Sequence, residues 1–240
     1  MGVKQVTDPS LIEDLVAANR VLAMQGVLDG FGHVSVRHNR DSNRFLLSRS
    51  LAPELVTAAD IMEYDLDAAP VDAKGRASYQ ERFIHAAIYK GRPDVKAVVH
   101  NHSPSVIPFG VSSIPLRPVY HMAAFIGDGV PVFDIRDRSG MTDMLVSDAN
   151  RARALVDVLG NKNVVLMRGH GVAVVGATLP IAVGRSIYLE LNARLQQETI
   201  GLGGNVKYLD PQEAQKMIDA GENNGYERPW ELWKRKAMGR

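Results

Sequence analysis

The sequence predicts an α/β fold in which a mixed β-sheet is sandwiched between helices, and three observations carry that expectation. A helical pattern opens the chain, and strand-like and helical stretches then follow one another. Several strand candidates are joined by short polar turns, as hairpins are, which disfavours a doubly wound parallel sheet. No G-x-G-x-x-G follows a strand and no G-x-x-x-x-G-K-[ST] occurs, so no nucleotide-binding crossover is indicated.

The elements follow in order. Ser10-Leu-Ile-Glu13 reads as a capping box ahead of Leu11, Leu15, Ala18 and Leu22 at helical spacing, with Gly26 as the stop. Phe31 to Arg37 and Arg44 to Leu47 read as strands around a polar turn, and Ile61 to Leu66 as another. Tyr79 to Lys90 is helical up to Gly91-Arg92-Pro93. Lys96 to His102 is a strand with an apolar run, and Asp148 to Leu159 is a helix. Val164 to Met167 and Val172 to Val175 flank Gly169-His170-Gly171 as two strand arms. Thr178 and Pro180 open a long helix to about Ile200, and Asp210-Pro211-Gln-Glu213 starts another. No repeat, linker or composition shift divides the chain, so residues 1–240 read as a single domain with a helical tail from about 205 to 240.

Composition narrows the function. With 240 residues, 45% of them hydrophobic and 23% charged, the chain can bury one continuous core. A net charge of +1 provides no field for nucleic acid or membrane. The absence of cysteine excludes disulfides, thiolate nucleophiles and Cys-based metal sites, so any metal must be held by His and carboxylates. The start, MGVKQVTDPS, has no apolar signal core, and Gly2 lacks the Ser or Thr at the sixth position that acylation favours. The expectation is a cytoplasmic protein. In the tail, Trp230 and Trp233 among cations could suggest a nucleic-acid patch, but two Trp three apart on a helix read as packing residues.

Three segments carry chemistry. His100-Asn101-His102 ends an apolar strand, and residues two apart on a strand point the same way, so both imidazoles can meet one ion. Alone, the pair reads sooner as two unrelated strand-end histidines. His170 sits between glycines at a tight turn, where it could add a third imidazole or merely tolerate the turn. Glu81, at the start of the preceding helix, is either a carboxylate favoured there by the helix dipole or a fourth ligand and proton-transfer group. Three imidazoles and a carboxylate suit one divalent ion per subunit, Zn²⁺ or Mn²⁺ first, with Fe²⁺ or Co²⁺ as alternatives, and no nucleotide.

Taken together, Glu81-x18-His100-x-His102, Gly32-His-Val-Ser-Val-Arg37 and Arg168-Gly-His-Gly171 resemble the class II aldolase/adducin family over roughly residues 11 to 200. The resemblance implies a three-layer α/β/α sandwich with a mixed central sheet. It also implies a homo-oligomer, often a tetramer with sites near subunit boundaries. The family's sugar-phosphate aldolases carry Asn at the position of His33, a Thr/Ser-Gly pair where this chain has Arg49-Ser50-Leu51, and paired serines where it has Tyr79-Gln80. Without that glycine and those serines a phosphate pocket is hard to build. Arg49 offers a planar fork for a carboxylate, or is a solvent-exposed loop cation. Where those aldolases supply a catalytic tyrosine across a subunit boundary, this chain has His121, a group able to donate a proton near neutrality or a structural histidine at a strand end. His85 reads as structural.

These departures are similar to the branch that decarboxylates hydroxypyridine dicarboxylates and dihydroxyphthalates. The implied activity is a metal-dependent carbon–carbon lyase acting on a small carboxylated substrate. The implied metal ligands are His100, His102, His170 and Glu81, the proton donor His121 or Glu81, and the substrate contacts His33, Arg49, Ser50 and Tyr79. The alternatives are an aldolase for a non-phosphorylated hydroxy-keto acid or sugar, and a non-catalytic adducin-like interaction module. For a redox metalloenzyme the sequence offers no cofactor motif.

Overall fold

The computed structural model describes residues 7–221 and 225–239; Gly2, weighed above for acylation, lies outside them. Helix α1 (Pro9–Met24) starts one residue before the expected box. Asp8, not Ser10, is its cap, accepting from the Ser10 amide at 2.9 Å, because Pro9 has no N–H to lose and a fixed φ that suits the first helical position. Gly26 takes φ +70° just past the helix end, as expected of the stop.

Seven strands form one sheet in the order β3-β2-β1-β4-β7-β6-β5. They are β1 (His33–Arg37), β2 (Arg44–Ser48), β3 (Ile61–Asp65), β4 (Ala97–Asn101), β5 (Val132–Phe133), β6 (Val164–Met167) and β7 (Gly171–Gly176). Every pairing is antiparallel except β5 with β6, so the sheet is mixed. Phe31 falls outside β1 because it is exposed and Gly32, at φ +83°, turns the chain there. His102 lies one residue beyond β4, and Tyr79 and Gln80 precede helix α2 (Arg82–Gly91), which Glu81 caps.

The alternation of side chains builds two cores. On one face Val34, Val36, Leu46, Val99, Val172 and Val174 pack under α1, α6 (Leu179–Gly201) and α8 (Glu227–Ala237). On the other, Phe45, Leu47, Val98, Ala173 and Val175 pack under α2 and α5 (Ala149–Leu159). The result is a three-layer α/β/α arrangement. Short helices α3 (Ile107–Val111) and α4 (Arg136–Ser139) and a 3-10 stretch (His121–Ile126) fill the connections. Helix α7 (Pro211–Asp219) begins where the sequence placed a helix start, and Asp210 and Glu213 form a capping box there. Trp230 and Trp233 of α8 are buried in the first core, which settles them as packing residues. Among the described residues, no helix is long and apolar enough to cross a membrane.

Candidate metal centre and its cavity

The topology makes the site. β4 pairs with β7 so that His100 lies opposite Ala173 and Asn101 opposite Val172. β6 reaches β7 through Arg168-Gly169-His170, with Met167 opposite Gly171, so this hairpin turn hangs over the end of β4. Gly169 holds φ +62°, a conformation costly for other residues. A Cβ on Gly171 would run into the Asn101 carbonyl and the His102 ring, so glycine is what lets the two strand ends close. Histidines far apart in sequence thereby meet.

Glu81, His100, His102 and His170 each offer a ligand atom, and these atoms lie within 4.8 Å of one another. The three imidazole centroids form a near-equilateral triangle, with separations of 5.0, 5.1 and 5.1 Å. Glu81 Oε2 stands 3.3 Å from His100 Nε2 and 3.4 Å from His170 Nε2. The far nitrogens are occupied: His100 Nδ1 is 3.1 Å from the Val172 carbonyl and His170 Nδ1 is 3.1 Å from that of Met144. A carbonyl can only accept, so each Nδ1 carries a proton and each Nε2 is turned to the cluster, where it is a lone pair whenever the ring is neutral. Nε2 of His100 and of His102 are buried without a hydrogen-bond partner among the described residues. Orphaned inward-facing nitrogens beside a buried carboxylate fit a divalent first-row cation.

The electrostatics agree. Burial would raise the Glu81 carboxyl, but His100 and His170 outweigh it and hold the group well below the usual carboxylate range. Its Oε1 is fixed by the Val146 amide at 2.9 Å. Burial, helped by His100 and His170, pushes His102 down to about 4, so it is a neutral ligand at physiological pH. For His170 burial acts downward too, but the hydrogen bond and charge of Glu81 prevail and raise it above the ordinary 6.5.

Beside the cluster lies a cavity of about 350 Å³, whose lining includes Gly32, His33, Ser50, Tyr79, Glu81 and His102. The structure therefore gathers three of the four expected substrate contacts. Tyr79 is fixed by its hydroxyl, 3.1 Å from Ser48 Oγ and 2.5 Å from the Leu51 carbonyl. Arg49 is not part of that lining; its Nε is ion-paired at 2.6 Å with Asp60 Oδ1. Exposed His121 borders a separate hollow together with Met122, Tyr188 and Arg228, so a single chain does not bring it to the four-donor cluster. His85 is fully buried, as expected of a structural histidine, but it bonds to His33 and to Ser35. Ser35 and Tyr89, the further members of that network, were not read from the sequence. Their signal is spacing: 33 and 35 share a strand face, and 85 and 89 are one helical turn apart.

Comparison with known proteins places this geometry. Residues 13–197 match the Class II Aldolase and Adducin N-terminal domain, and the chain belongs to that family. It is 34% identical to decarboxylase tropJ of Talaromyces stipitatus, over 93% of this chain and 92% of that protein. It is 29% identical to the 3,4-dihydroxyphthalate decarboxylase of Arthrobacter keyseri, over 91% of this chain and 90% of that one. In fold it is similar to an aldolase II superfamily protein from Pseudomonas syringae, with a TM-score of 0.79 at 23% identity over 96% of this chain and 94% of that chain. The class II aldolase-like architecture expected from the sequence is thus the one observed.

Proposed function

We propose that the chain is a divalent-metal-dependent lyase that decarboxylates an ortho-hydroxy aromatic or pyridine dicarboxylate, dihydroxyphthalate-like or 3-hydroxy-2-methylpyridine-dicarboxylate-like. The observation that carries this reading is the convergence of Glu81, His100, His102 and His170 beside a cavity lined by His33, Ser50 and Tyr79. Two relatives similar over nine-tenths of the chain are decarboxylases by name. An adducin-like interaction module gives no reason for a buried, unsatisfied donor set of this kind.

The four donors would hold the ion, Zn²⁺ or Mn²⁺ first and Fe²⁺ or Co²⁺ as alternatives, which supplies a Lewis acid for negative charge on a substrate oxygen. In the reaction the ring–carboxylate bond breaks and CO₂ leaves. The ring carbon that bears the carboxylate takes a proton first, as the ortho oxygen gives electron density to the ring, and the pair of the broken bond then returns through the ring to that oxygen. His33 and Tyr79 line the cavity where the second carboxylate would lie. Arg49 stands outside that lining, with its Nε held by Asp60.

Glu81 is a ligand in this reading and not the proton donor, because it is held ionised with both oxygens engaged. The donor is then His121, supplied by a neighbouring copy of the chain. The reading thus includes a homo-oligomer, a tetramer by family likeness, built from one catalytic domain per chain and acting in the cytoplasm without nucleic-acid or membrane partners.

The test is CO₂ release from 3,4-dihydroxyphthalate by protein stripped of metal and then reloaded with zinc or manganese. Release only after reloading is expected. Undiminished release by the stripped protein, or aldehyde release from a ketol with no CO₂ from any hydroxy dicarboxylate, would overturn the reading.

A further inference from the structure

The hydrogen-bond chain behind His33 has a direction. Nδ1 of His33 lies 2.6 Å from Nε2 of His85, Nδ1 of His85 lies 2.6 Å from Ser35 Oγ, and that oxygen lies 2.7 Å from the Tyr89 hydroxyl. All four residues are buried, and only His33 lines the cavity.

The protons can be followed from the far end. The phenol of Tyr89 stays protonated, since burial pushes it well above its ordinary value. The Val98 amide that faces the phenol oxygen can only donate to it. Among the described residues, Ser35 is the phenol's acceptor. Tyr89 therefore donates to Ser35. The single serine proton is then free for Nδ1 of His85, which must be bare. A neutral His85 carries its proton on Nε2 and gives that hydrogen bond to Nδ1 of His33. A neutral His33 is left with its proton on Nε2. In this chain each ring keeps one bare nitrogen, Nδ1 of His85 and Nδ1 of His33, so each carries its single proton on Nε2.

We infer that the Tyr89–Ser35–His85 chain locks His33 as an Nε2–H donor to the cavity, where it binds an anionic oxygen of the substrate and sets the preference for a second carboxylate. This rests on reading the cavity as a carboxylate pocket. Tyr89, Ser35 and His85 are positioning residues. The same chain stops His33 from supplying the reaction's proton, because replacing that proton along the chain would leave a buried phenolate at Tyr89. The lock therefore serves binding, and its loss should appear in KM and not in kcat.

The experiment uses the full-length, zinc-loaded protein with ring-¹⁵N histidine, its resonances assigned through His33→Gln and His85→Gln. Nε2-protonated tautomers are expected for both His33 and His85. In Tyr89→Phe, which keeps the ring packing, Nδ1-protonated forms should appear. Affinity for phthalate, a non-reacting dicarboxylate probe, should fall about tenfold, as should 1/KM, with kcat unchanged within about twofold. Should Tyr89→Phe not fold, Ser35→Ala cuts the chain one link nearer. An Nδ1–H tautomer at either histidine in the parent, or a severed chain that alters neither tautomers nor affinity, would overturn the inference. Expected tautomers in a protein that does not bind phthalate would instead overturn the carboxylate pocket and the ligand assigned to the donor, leaving the direction of the chain standing.

Discussion

The carbonyl of Val172 stands 3.1 Å from Nδ1 of His100, and the two residues belong to neighbouring strands, β7 and β4. The backbone of one strand thus fixes the tautomer of a ligand on the next, leaving Nε2 free for a cation with no rotamer left to search. His100 is also the fully buried member of the triad, between His33 on β1 and Ala173 on β7.

Replacing His100 with alanine should therefore abolish metal binding and turnover together. Loss of an oriented outer partner alone typically costs 10- to 100-fold in metal affinity, so loss of the ligand itself should exceed about a hundredfold. Isothermal titration with zinc, read beside a CO₂-release assay, checks it. Stoichiometric tight binding by His100→Ala would remove this residue from the site.

Glu81→Gln tests the charge at the centre. The carboxylate raises His170 above the ordinary 6.5, against the downward pull of burial. In the metal-free parent that raised value is a stabilising contribution. It is fully present below the unfolded histidine pKa of about 6.5 and is lost as pH rises through the folded value. The metal-loaded protein should run the other way, since a bound cation requires the neutral ring and acid displaces it. Between about pH 5.5 and 8 the melting temperature of the loaded form should thus rise with pH; in the metal-free protein His33, His85 and His102, held below the ordinary value, also favour higher pH, so the His170 contribution is read as the advantage of the parent over Glu81→Gln, which should shrink as pH rises. Metal-free Glu81→Gln should lose the acid-side gain. An unchanged pH profile in that variant would show that Glu81 does not govern His170.

Much of this site was legible in the sequence because the needed information is local. Alternation told which way His100 faces, and the glycines around His170 marked a tight turn. What brought the segments together was the resemblance of their combination, since no spacing rule predicts that β7 will lie beside β4. Ser10 misled because a box pattern two residues inside a helix looks the same as one at its start, and only the Asp8 bond separates them. The ion pair of Arg49 was not legible at all. Its partner Asp60 sits across a turn from it, and an ion pair between loops leaves no periodic trace. The chain from His33 to Tyr89 was visible only as two separate spacings, because it needs the packing of α2 on β1 to join them.

Gly171→Ala should damage the site without touching a ligand. The added methyl meets the Asn101 carbonyl, which is rigid sheet backbone, and the His102 ring at 3.0 Å. Overpacking of this kind costs about 1–3 kcal/mol, and here the strand ends would part to accommodate it. A lowered urea midpoint together with at least a tenfold weaker zinc affinity is expected. If zinc affinity is kept while stability falls, His102 does not depend on the close approach of β7.

The last prediction concerns His121, which lies by a different hollow from the four donors in the same chain. If it serves the site of a neighbouring copy, each active site is built from two chains. His121→Ala and His100→Ala should then each be nearly inactive alone, for different reasons: the first binds metal and cannot protonate, the second cannot bind metal. Unfolded together one-to-one and refolded, they should form mixed oligomers. In these, about a quarter of the sites pair an intact metal cluster with an intact His121, and activity should recover to about that fraction of the parent. No recovery, in mixtures that sedimentation shows to be oligomeric, would mean that the proton comes from within one chain. Full activity in His121→Ala alone would remove this histidine from the reaction altogether.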